Sequence, residues 1–316
     1  MTVRIATRRS PLAKWQANHV KALLEAREPG LAVVLHEVVT RGDRILDVPL
    51  AQVGGKGLFV KEIEDALLAG AAEIAVHSMK DLPAVLADGL VIGAVPERED
   101  PRDALCSRRY RTLQALPKGA RVGTASLRRA AQLKAIRPDL LIETVRGNVE
   151  TRLKKQDQGL DAVVLAYAGL RRLGLAEHAT QVFSTEEMLP AVAQGALALE
   201  ARGADGPTMN RLSALEDPDT RVRTEAERGF LARIQGGCQI PVAAHATVEG
   251  GAVRLRALVA SLDGTRLVRG ERSGPLQAAR AMGEAVAEDL LSRGADRILR
   301  EAEGQGVPLA APRREP

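Results

Sequence analysis

The chain has 316 residues, of which 45% are hydrophobic, and this length suffices for two or three domains with sizeable cores. Its net charge of +5 suggests anionic partners, but one Trp, two Tyr and three Phe offer little stacking surface, so the composition disfavours nucleic acid and favours a small polyanionic ligand. The sequence contains no membrane-spanning apolar run, no secretory signal and no metal-ligand spacing among its two Cys and five His, which predicts a cytoplasmic protein without a metal or a disulfide framework.

Predicted strands and helices alternate in the first hundred residues. Ser10 and Pro11 begin an apolar-periodic helix that is predicted to run to about Leu24, because proline is favoured in a first helical turn. A second helix is predicted at residues 58–68, and strands are predicted at residues 4–7, 33–40, 73–77 and 90–95. This alternation predicts an α/β unit with a largely parallel sheet.

A charged segment with a proline at each end, residues 96–101, is predicted to be a hinge. The alternation restarts after it, with strands predicted at residues 121–123, 141–145 and 162–165 and with helices between them. The chain therefore has a second predicted α/β unit. Residues 189–195 are interpreted as the return of the chain to the first unit.

A third unit is predicted after Asp217-Pro218, which precedes a helix that ends near Cys238. Strands at residues 253–260 and 266–271 and a helix at residues 275–293 predict a small α+β domain, and a frayed tail is expected from residue 304 onward. The expected domains are residues 1–96 with 194–215, residues 101–190 and residues 218–305, followed by a flexible tail at residues 306–316.

Cys238 lies in the segment Gly236-Gly237-Cys238-Gln239-Ile240-Pro241. This segment predicts a loop, because glycine bends freely and proline limits the continuation of a helix. A thiol without bulky neighbours leaves an approach path and is a candidate for covalent chemistry. The alternative is that Cys238 is a small buried hydrophobic residue, as free cysteines commonly are.

Basic residues recur where a predicted strand gives way to a predicted helix. Guanidiniums, hydroxyls and free backbone amides at a helix N-terminus bind carboxylate or phosphate well, and strand ends that face a crevice are usual ligand positions. The alternative is ordinary solvated surface charge. The residues at these junctions are Arg8 and Ser10, then Thr124, Ser126, Arg128 and Arg129, and then Arg146 and Arg152.

Asp81 follows an apolar strand in Ala75-Val76-His77-Ser78-Met79-Lys80-Asp81-Leu82-Pro83. It is a candidate acid–base group, because a carboxylate can stabilise a nearby cationic intermediate or manage the proton of an ammonium leaving group. The alternative is that Asp81 only caps a turn or pairs with Lys80.

A glycine-rich loop, Gly54-Gly55-Lys56-Gly57, resembles a phosphate loop only superficially, because the required glycine spacing and the following Ser or Thr are missing. Lys56 is instead interpreted as part of a flexible lid with Phe59 packing nearby. The alternative is an ordinary surface loop.

Taken together, these motifs resemble the porphobilinogen deaminase family, also called the hydroxymethylbilane synthases, along nearly the whole chain. The resemblance rests on the two internal arginine motifs and on residues 4–8, 39–43, 54–59, 75–83, 97–103, 189–195 and 236–241. It implies an α/β protein of three domains. The first two would be type II periplasmic-binding-protein-like units hinged around a cleft, and the third would be a small α+β domain with Cys238.

The resemblance also implies a transferase of tetrapyrrole and haem biosynthesis that acts as a monomer. Cys238 would form a thioether to a dipyrromethane cofactor, which is made from two porphobilinogen units and stays attached. Four further porphobilinogens would be added to this primer, with ammonia released at each addition. Hydrolysis would then release the linear tetrapyrrole hydroxymethylbilane.

Roles for individual residues follow from the same resemblance. Asp81 would stabilise the cation that remains after ammonia leaves and would handle protons from the pyrrole nitrogens. Lys56 and Phe59 map to a mobile active-site loop. Carboxylates of the cofactor and substrate would be bound by Arg8, Ser10, Ser78, Lys80, Thr124, Ser126, Arg128, Arg129, Arg146, Arg152, Arg172 and Gln194.

Two other classes of protein remain open. A non-catalytic solute-binding or regulatory protein could share the hinged α/β architecture, but it would need neither the Cys238 motif nor Asp81. A nucleic-acid-binding protein could explain the positive charge. Its association would weaken steeply with salt and would not depend on Cys238.

Overall fold

The computed structural model describes residues 2–40, 42, 60–234 and 240–304. Within these ranges the strands are β1 (Thr2–Arg8), β2 (Ala32–Val38), β3 (Ile74–Ser78), β4 (Leu90–Ala94), β5 (Asp103–Cys106), β6 (Arg121–Gly123), β7 (Leu141–Glu143), β8 (Ala162–Ala166), β9 (Gln181–Val182), β10 (Leu197–Arg202), β11 (Val242–Glu249), β12 (Ala252–Ala260) and β13 (Leu267–Pro275). The α-helices are α1 (Pro11–Arg27), α2 (Lys61–Leu68), α3 (Leu127–Ile136), α4 (Val149–Lys154), α5 (Tyr167–Arg172), α6 (Gly206–Ser213), α7 (Pro218–Arg233), α8 (Ala279–Leu290) and α9 (Asp296–Gly304).

The first unit is built on a five-stranded sheet of order β2-β1-β3-β10-β4. Strand β1 is parallel to β2 and β3, whereas β10 is antiparallel to β3 and β4. Helix α1 begins where the sequence predicts, because Ser10 Oγ accepts a hydrogen bond from the Ala13 N–H at 3.3 Å. Its residues Ala17, Val20 and Leu24 are buried in the core of this unit.

The second unit repeats this arrangement in a five-stranded sheet of order β7-β6-β8-β5-β9. Strand β6 is parallel to β7 and β8, whereas β5 is antiparallel to β8 and β9. The predicted α/β class is confirmed, but the sheets are mixed where the sequence predicted largely parallel ones. Strands β5 and β10 each begin just after the chain has crossed from the other unit, so they enter their sheets from the opposite end.

The third unit is a three-stranded antiparallel sheet, β11-β12-β13, covered by α7 and α8. Helix α7 ends at Arg233, several residues before the predicted end near Cys238. The helix predicted at residues 275–293 is also shorter, because α8 is followed by a turn in which Gly294 adopts a φ of +96°. Helix α9, which the sequence did not predict, then runs to residue 304.

The chain crosses between the first two units twice, and we call residues 96–101 the first crossing and residues 189–195 the second crossing. They lie side by side, because the Glu99 N–H donates to Gly195 O at 3.2 Å. Gly195 has a φ of +90°, and a Cβ atom there would lie 2.2 Å from Glu99 O, so the close approach requires glycine.

Glu227 of α7 joins the third unit to both crossings. Its carboxylate pairs with Arg98 of the first crossing and accepts hydrogen bonds from the Ala193 N–H (2.5 Å) and the Ala246 N–H (2.8 Å). The three units therefore meet at one point, although the exact domain boundaries expected from the sequence stay predictions. Among the helices of the described ranges, none has the length and apolar character needed to cross a membrane.

Candidate active site

Asp81 ends a single 3₁₀ turn, Met79–Asp81, that follows directly after the buried strand β3. Met79 and Leu82 on either side are buried, and the Met79 N–H donates to Ala196 O at 3.0 Å. The side chain of Asp81 itself is exposed. Its carboxylate is therefore held on a well-fixed turn and stays accessible to a ligand.

Lys80, beside Asp81, is half-buried. Burial lowers the pKa of Lys80 to about 8 although Asp81 opposes the shift, and Arg129 lowers it further. Arg152 of α4 responds to the same carboxylate: burial and then Arg129 lower its pKa to about 10, whereas Asp81 raises it. Lys80 follows β3 of the first unit and Arg152 lies in α4 of the second unit. The electrostatic field of Asp81 therefore acts on cations of both units.

Arg128 and Arg129, in the first turn of α3, both bind Asp103 at the start of β5. Arg128 Nη1 donates to Asp103 Oδ2 at 2.6 Å, Arg129 Nε donates to Oδ1 at 2.9 Å, and Gln194 Nε2 donates to Oδ1 at 2.9 Å. Burial alone would raise the pKa of Asp103, but the two guanidiniums and the amide hold it well below its usual range. These predicted ligand-binding side chains thus share an internal carboxylate partner.

Two of the hydroxyl groups predicted to bind carboxylates cap the N-termini of helices. Ser10 Oγ caps α1, and Ser126 Oγ caps α3 by accepting a hydrogen bond from the Arg129 N–H at 3.4 Å. Thr124 Oγ1 accepts a hydrogen bond from the Ser126 N–H at 3.2 Å. In this structure these side chains order the strand-to-helix junctions beside the arginines.

Ser78 and Arg8 end the adjacent parallel strands β3 and β1, so both lie at the same edge of the first sheet. Ser78 Oγ accepts a hydrogen bond from Gln16 Nε2 at 2.8 Å. Gln16 is buried in α1, and its amide fixes the hydroxyl two residues before Lys80. No motif in the sequence singles out Gln16.

Arg146 follows β7 and has two buried nitrogen atoms, Nε and Nη2, without a hydrogen-bond partner among the described residues. Arg128 Nε is in the same condition. Burial lowers the pKa of Arg146. A buried donor without an acceptor is costly, so these nitrogen atoms are candidates for hydrogen bonds to a bound ligand.

Arg172, at the end of α5, connects the second crossing with α1. Its Nη2 donates to Gly195 O at 2.7 Å, and its Cζ atom lies 5.9 Å from the centre of the Trp15 ring. Burial lowers the pKa of Arg172 to about 10, and Glu99 opposes this shift. Arg172 therefore remains a cation at neutral pH where the first two units touch.

The predicted attachment residue Cys238 and the predicted loop residues Lys56 and Phe59 lie outside the described residues. The other cysteine, Cys106, is buried in β5, and burial raises the pKa of its thiol to about 12. A thiol of that kind is unsuited to covalent chemistry. Cys238 is therefore the cysteine to test.

Cations outnumber carboxylates among the site residues of the described ranges. Against Asp81 and Asp103 stand Arg8, Lys80, Arg128, Arg129, Arg146, Arg152 and Arg172. The excess positive charge and the unpartnered guanidinium nitrogens suit a ligand with several carboxylate groups. No cluster of His, Cys, Asp or Glu capable of holding a metal ion occurs in the described part of the chain.

Asp103 is the principal site residue that the sequence reasoning missed. An acidic residue at the start of the otherwise apolar strand Asp103–Cys106 is itself a signal that a buried cation must lie nearby. Nothing in the local sequence identifies that cation, however, because Arg128 lies 25 residues further along the chain and on another element.

Family models cover most of the chain. Residues 3–210 match "Porphobilinogen deaminase, dipyromethane cofactor binding domain", and residues 222–292 match "Porphobilinogen deaminase, C-terminal domain". A porphobilinogen deaminase from Syntrophotalea carbinolica is 53% identical over 97% of this chain and 98% of its own length. Another from Pelobacter propionicus is 54% identical over 95% of this chain and 96% of its own length.

Solved structures of solute-binding proteins show a more distant likeness. The methionine-binding protein MetQ aligns with a TM-score of 0.43 at 13% identity, covering 68% of this chain and 89% of MetQ. A lipoprotein from Bacillus subtilis that is described as methionine-binding aligns with a TM-score of 0.41 at 15% identity, covering 68% of this chain and 89% of the lipoprotein.

Proposed function

The chain belongs to the porphobilinogen deaminase family, and we propose that the residues around Asp81 perform the family's reaction. The enzyme joins four porphobilinogen molecules head to tail on a dipyrromethane cofactor, releases ammonia at each addition and then hydrolyses off the linear tetrapyrrole hydroxymethylbilane. It is thus a deaminase of the transferase type. The observation that supports this site most directly is the exposed carboxylate of Asp81, which acts on basic residues of two units.

The site residues fit a dipyrromethane bearing acetate and propionate groups. The unpartnered Arg146 Nε and Nη2 and Arg128 Nε are donors that such carboxylates would satisfy. When bound, the group supplies the nucleophilic pyrrole carbon to which porphobilinogen is added. We propose that Cys238 holds it through a thioether and that Ser78, Lys80 and the site arginines bind its carboxylates.

Asp81 is proposed to act on the charges that develop at porphobilinogen. Loss of ammonia leaves an electron-deficient methylene carbon conjugated to the pyrrole ring, and a fixed carboxylate stabilises that cation. The same carboxylate can accept and return the proton of a pyrrole nitrogen. The buried residues Met79 and Leu82 hold Asp81 in place for both tasks.

The arginines are proposed to hold the carboxylates of substrate and product. Burial lowers the pKa of Arg152 and of Arg172 only to about 10, so both stay charged at neutral pH. Guanidinium can also bind a carboxylate with two parallel hydrogen bonds. The pairing of Arg128 and Arg129 with Asp103 fixes the orientation of their remaining donors.

Because one Asp81 serves every addition, the growing chain must shift or the units must move apart, and the two crossings are the proposed pivot. Lys56 and Phe59 are proposed to belong to a loop that covers the site. Hydrogen exchange at the crossing amides tests this motion: protection that stays constant through successive enzyme-bound intermediates would contradict it.

The finer points of partners and location stay proposals. We propose a monomer in the cytoplasm that binds no nucleic acid, because the family resemblance favours a monomer and the few aromatic residues disfavour base stacking. Size-exclusion chromatography with light scattering tests the monomer. Binding to single-stranded and duplex DNA across a salt series tests the absence of nucleic-acid binding, and cell fractionation tests the location.

The decisive experiment is the denatured intact mass of the chain produced in a host that makes porphobilinogen, beside a Cys238→Ala variant. The expected result is a Cys238-dependent increase equal to two condensed pyrroles. A matched Cys106→Ala variant should keep the added mass, because Cys106 is buried. An unmodified chain that also fails to acquire mass from added porphobilinogen would overturn the proposal and favour a non-catalytic binding protein.

A further inference from the structure

Helix α7 of the third unit packs against the turn that ends in Asp81. Met79 and Leu82, which flank the turn, share one buried apolar cluster with Phe230 and Leu231 of α7. The catalytic turn of the first unit is thus supported by a helix that belongs to a different unit.

Arg228 adds a polar connection at the same place. Its side chain is buried, and Nη2 donates to Pro83 O at 2.9 Å and to Ala84 O at 3.1 Å. These carbonyls follow Asp81 by two and three positions in the sequence. One nitrogen of a buried guanidinium therefore holds two successive carbonyls of the segment that leaves the turn.

Burial of the Arg228 guanidinium at this position is energetically costly. Burial lowers its pKa, its Nη1 atom is buried without a partner among the described residues, and the hydrogen bonds it makes are to neutral carbonyls. No carboxylate is hydrogen-bonded to it in the described part of the chain. The carboxylates of Glu225 and Glu200 favour the charged form from a distance, so the direct contacts of the guanidinium are the two carbonyls after the Asp81 turn.

Helix α7 is itself held firmly. A Cβ atom on Gly229 would lie 2.2 Å from Arg280 O, and one on Gly283 would lie 2.0 Å from Ala226 O, so the backbones of α7 and α8 are in direct contact. Helix α7 ends at Arg233, five positions before Cys238. The helix is therefore a fixed body that leads to the predicted attachment residue.

We infer that Arg228 is a positioning residue for Asp81: from α7 it sets the location of the Asp81 turn relative to the third unit. The inference rests on the role proposed above for Asp81. Arg228 acts through the Pro83 and Ala84 carbonyls and touches no reacting atom. A displacement of about 1 Å at a reacting centre can lower a rate on the order of 100-fold, so loss of this support should appear in turnover.

The test compares Arg228→Gln and Arg228→Lys with the control Arg233→Gln, which removes a guanidinium from the same helix at a half-exposed pair with Glu288. Each variant is isolated with its cofactor, and cofactor content is checked by intact mass. The measured quantities are kcat, KM for porphobilinogen and Tm.

Arg228→Gln is expected to lower kcat roughly 10- to 100-fold while KM changes less than about threefold, because carboxylate binding is left intact. Arg228→Lys should recover part of the loss, since an ammonium can still donate to a carbonyl. Arg233→Gln should keep kcat and KM. In the double variant Asp81→Glu with Arg228→Gln, the loss of kcat should be smaller than the product of the two single losses, because both substitutions act at one turn.

Wild-type kcat in cofactor-bearing Arg228→Gln would overturn the inference, and so would fully multiplicative effects with Asp81→Glu. If Arg228→Gln fails to fold, Arg228→Lys decides: a lowered kcat at near-wild-type Tm supports the inference, and an unchanged kcat overturns it. These results are distinct from a failure of the proposed function, in which the cofactor-bearing wild-type chain itself would consume no porphobilinogen.

Discussion

Arg98 and Glu227 form a buried bidentate ion pair between the first crossing and the third unit. The Nη1–Oε1 distance is 2.6 Å and the Nη2–Oε2 distance is 3.1 Å, and the two side chains are 4% and 0% exposed. Since Glu227 also accepts backbone hydrogen bonds from Ala193 and Ala246, one carboxylate ties together segments of all three units.

Glu227→Gln is expected to lower the free energy of unfolding by about 3–5 kcal/mol, because Arg98 is left as an uncompensated buried charge. Urea denaturation measures this. The control is Arg254→Gln, which breaks an exposed pair with Glu271 and should cost less than about 1 kcal/mol. Equal effects of the two substitutions would contradict the importance of the buried pair.

Asp81→Asn is expected to lower kcat by about 100- to 1,000-fold, because an amide neither stabilises a cation as a carboxylate does nor accepts its proton. The rate of porphobilinogen consumption by cofactor-bearing protein measures this. Asp88→Asn removes another exposed carboxylate from the segment after the same turn and should leave kcat unchanged. A similar loss in both variants would argue against a specific role for Asp81.

Lys80 should make the first binding event sensitive to pH. Burial lowers its pKa to about 8, so the ammonium is present below pH 8 and is lost above it, and attraction for carboxylates is lost with it. The rate at which cofactor-free protein acquires mass from porphobilinogen should therefore fall above about pH 8. In Lys80→Arg the fall should move to higher pH, because guanidinium stays charged.

The exposed Lys61, paired with Asp65, gives the matched control Lys61→Arg, which should keep the wild-type pH profile. A loading rate that is flat from pH 7 to 9.5 in the wild-type chain would show that Lys80 does not bind the incoming carboxylates.

Gly195→Ala is expected to destabilise the protein by more than about 2 kcal/mol, because the new Cβ atom would overlap Glu99 O in addition to occupying a positive φ. Gly174→Ala separates the two causes, since Gly174 has a φ of +68° but no atom within 4 Å of the added Cβ. That control should cost about 1–2 kcal/mol. Thermal unfolding of both variants measures the difference.

The elements that the sequence predicted well have strong local signals. Helix α1 was found because Ser10 and Pro11 provide a cap and a first-turn proline ahead of a periodic apolar face. The turn with Asp81 was found because the run Ile74–Ser78 is apolar and ends in polar residues. Both features depend on residues close together in the chain.

The sequence pattern does not predict strands β5 and β10, and it could not have predicted their direction. β5 has only four residues, and β10 contains the buried Glu200, which interrupts its apolar pattern and pairs with His77 at 2.9 Å. Periodicity indicates which face of a strand is buried, but it contains no information on whether the neighbour runs parallel or antiparallel.

The sequence indicates which residue types belong to the candidate site, but it does not indicate their contacts with one another. Arg128 and Arg129 are predicted to bind a ligand, and the structure adds a buried partner for both, Asp103. Ser126 is predicted to bind a carboxylate, and the structure adds that its hydroxyl caps α3. The pairing with Asp103 joins separate elements, and a single sequence does not reveal such contacts.

The strand order of the first sheet also governs the order in which the units can be completed during synthesis. All five strands of the second sheet lie between residues 103 and 182, whereas β10, the strand that joins β4 to β3, ends at residue 202. The first unit begins earlier on the ribosome but must wait, with β3 and β4 unjoined, until the whole second unit has emerged. The unit that contains Asp81 is thus the later of the two to close its sheet.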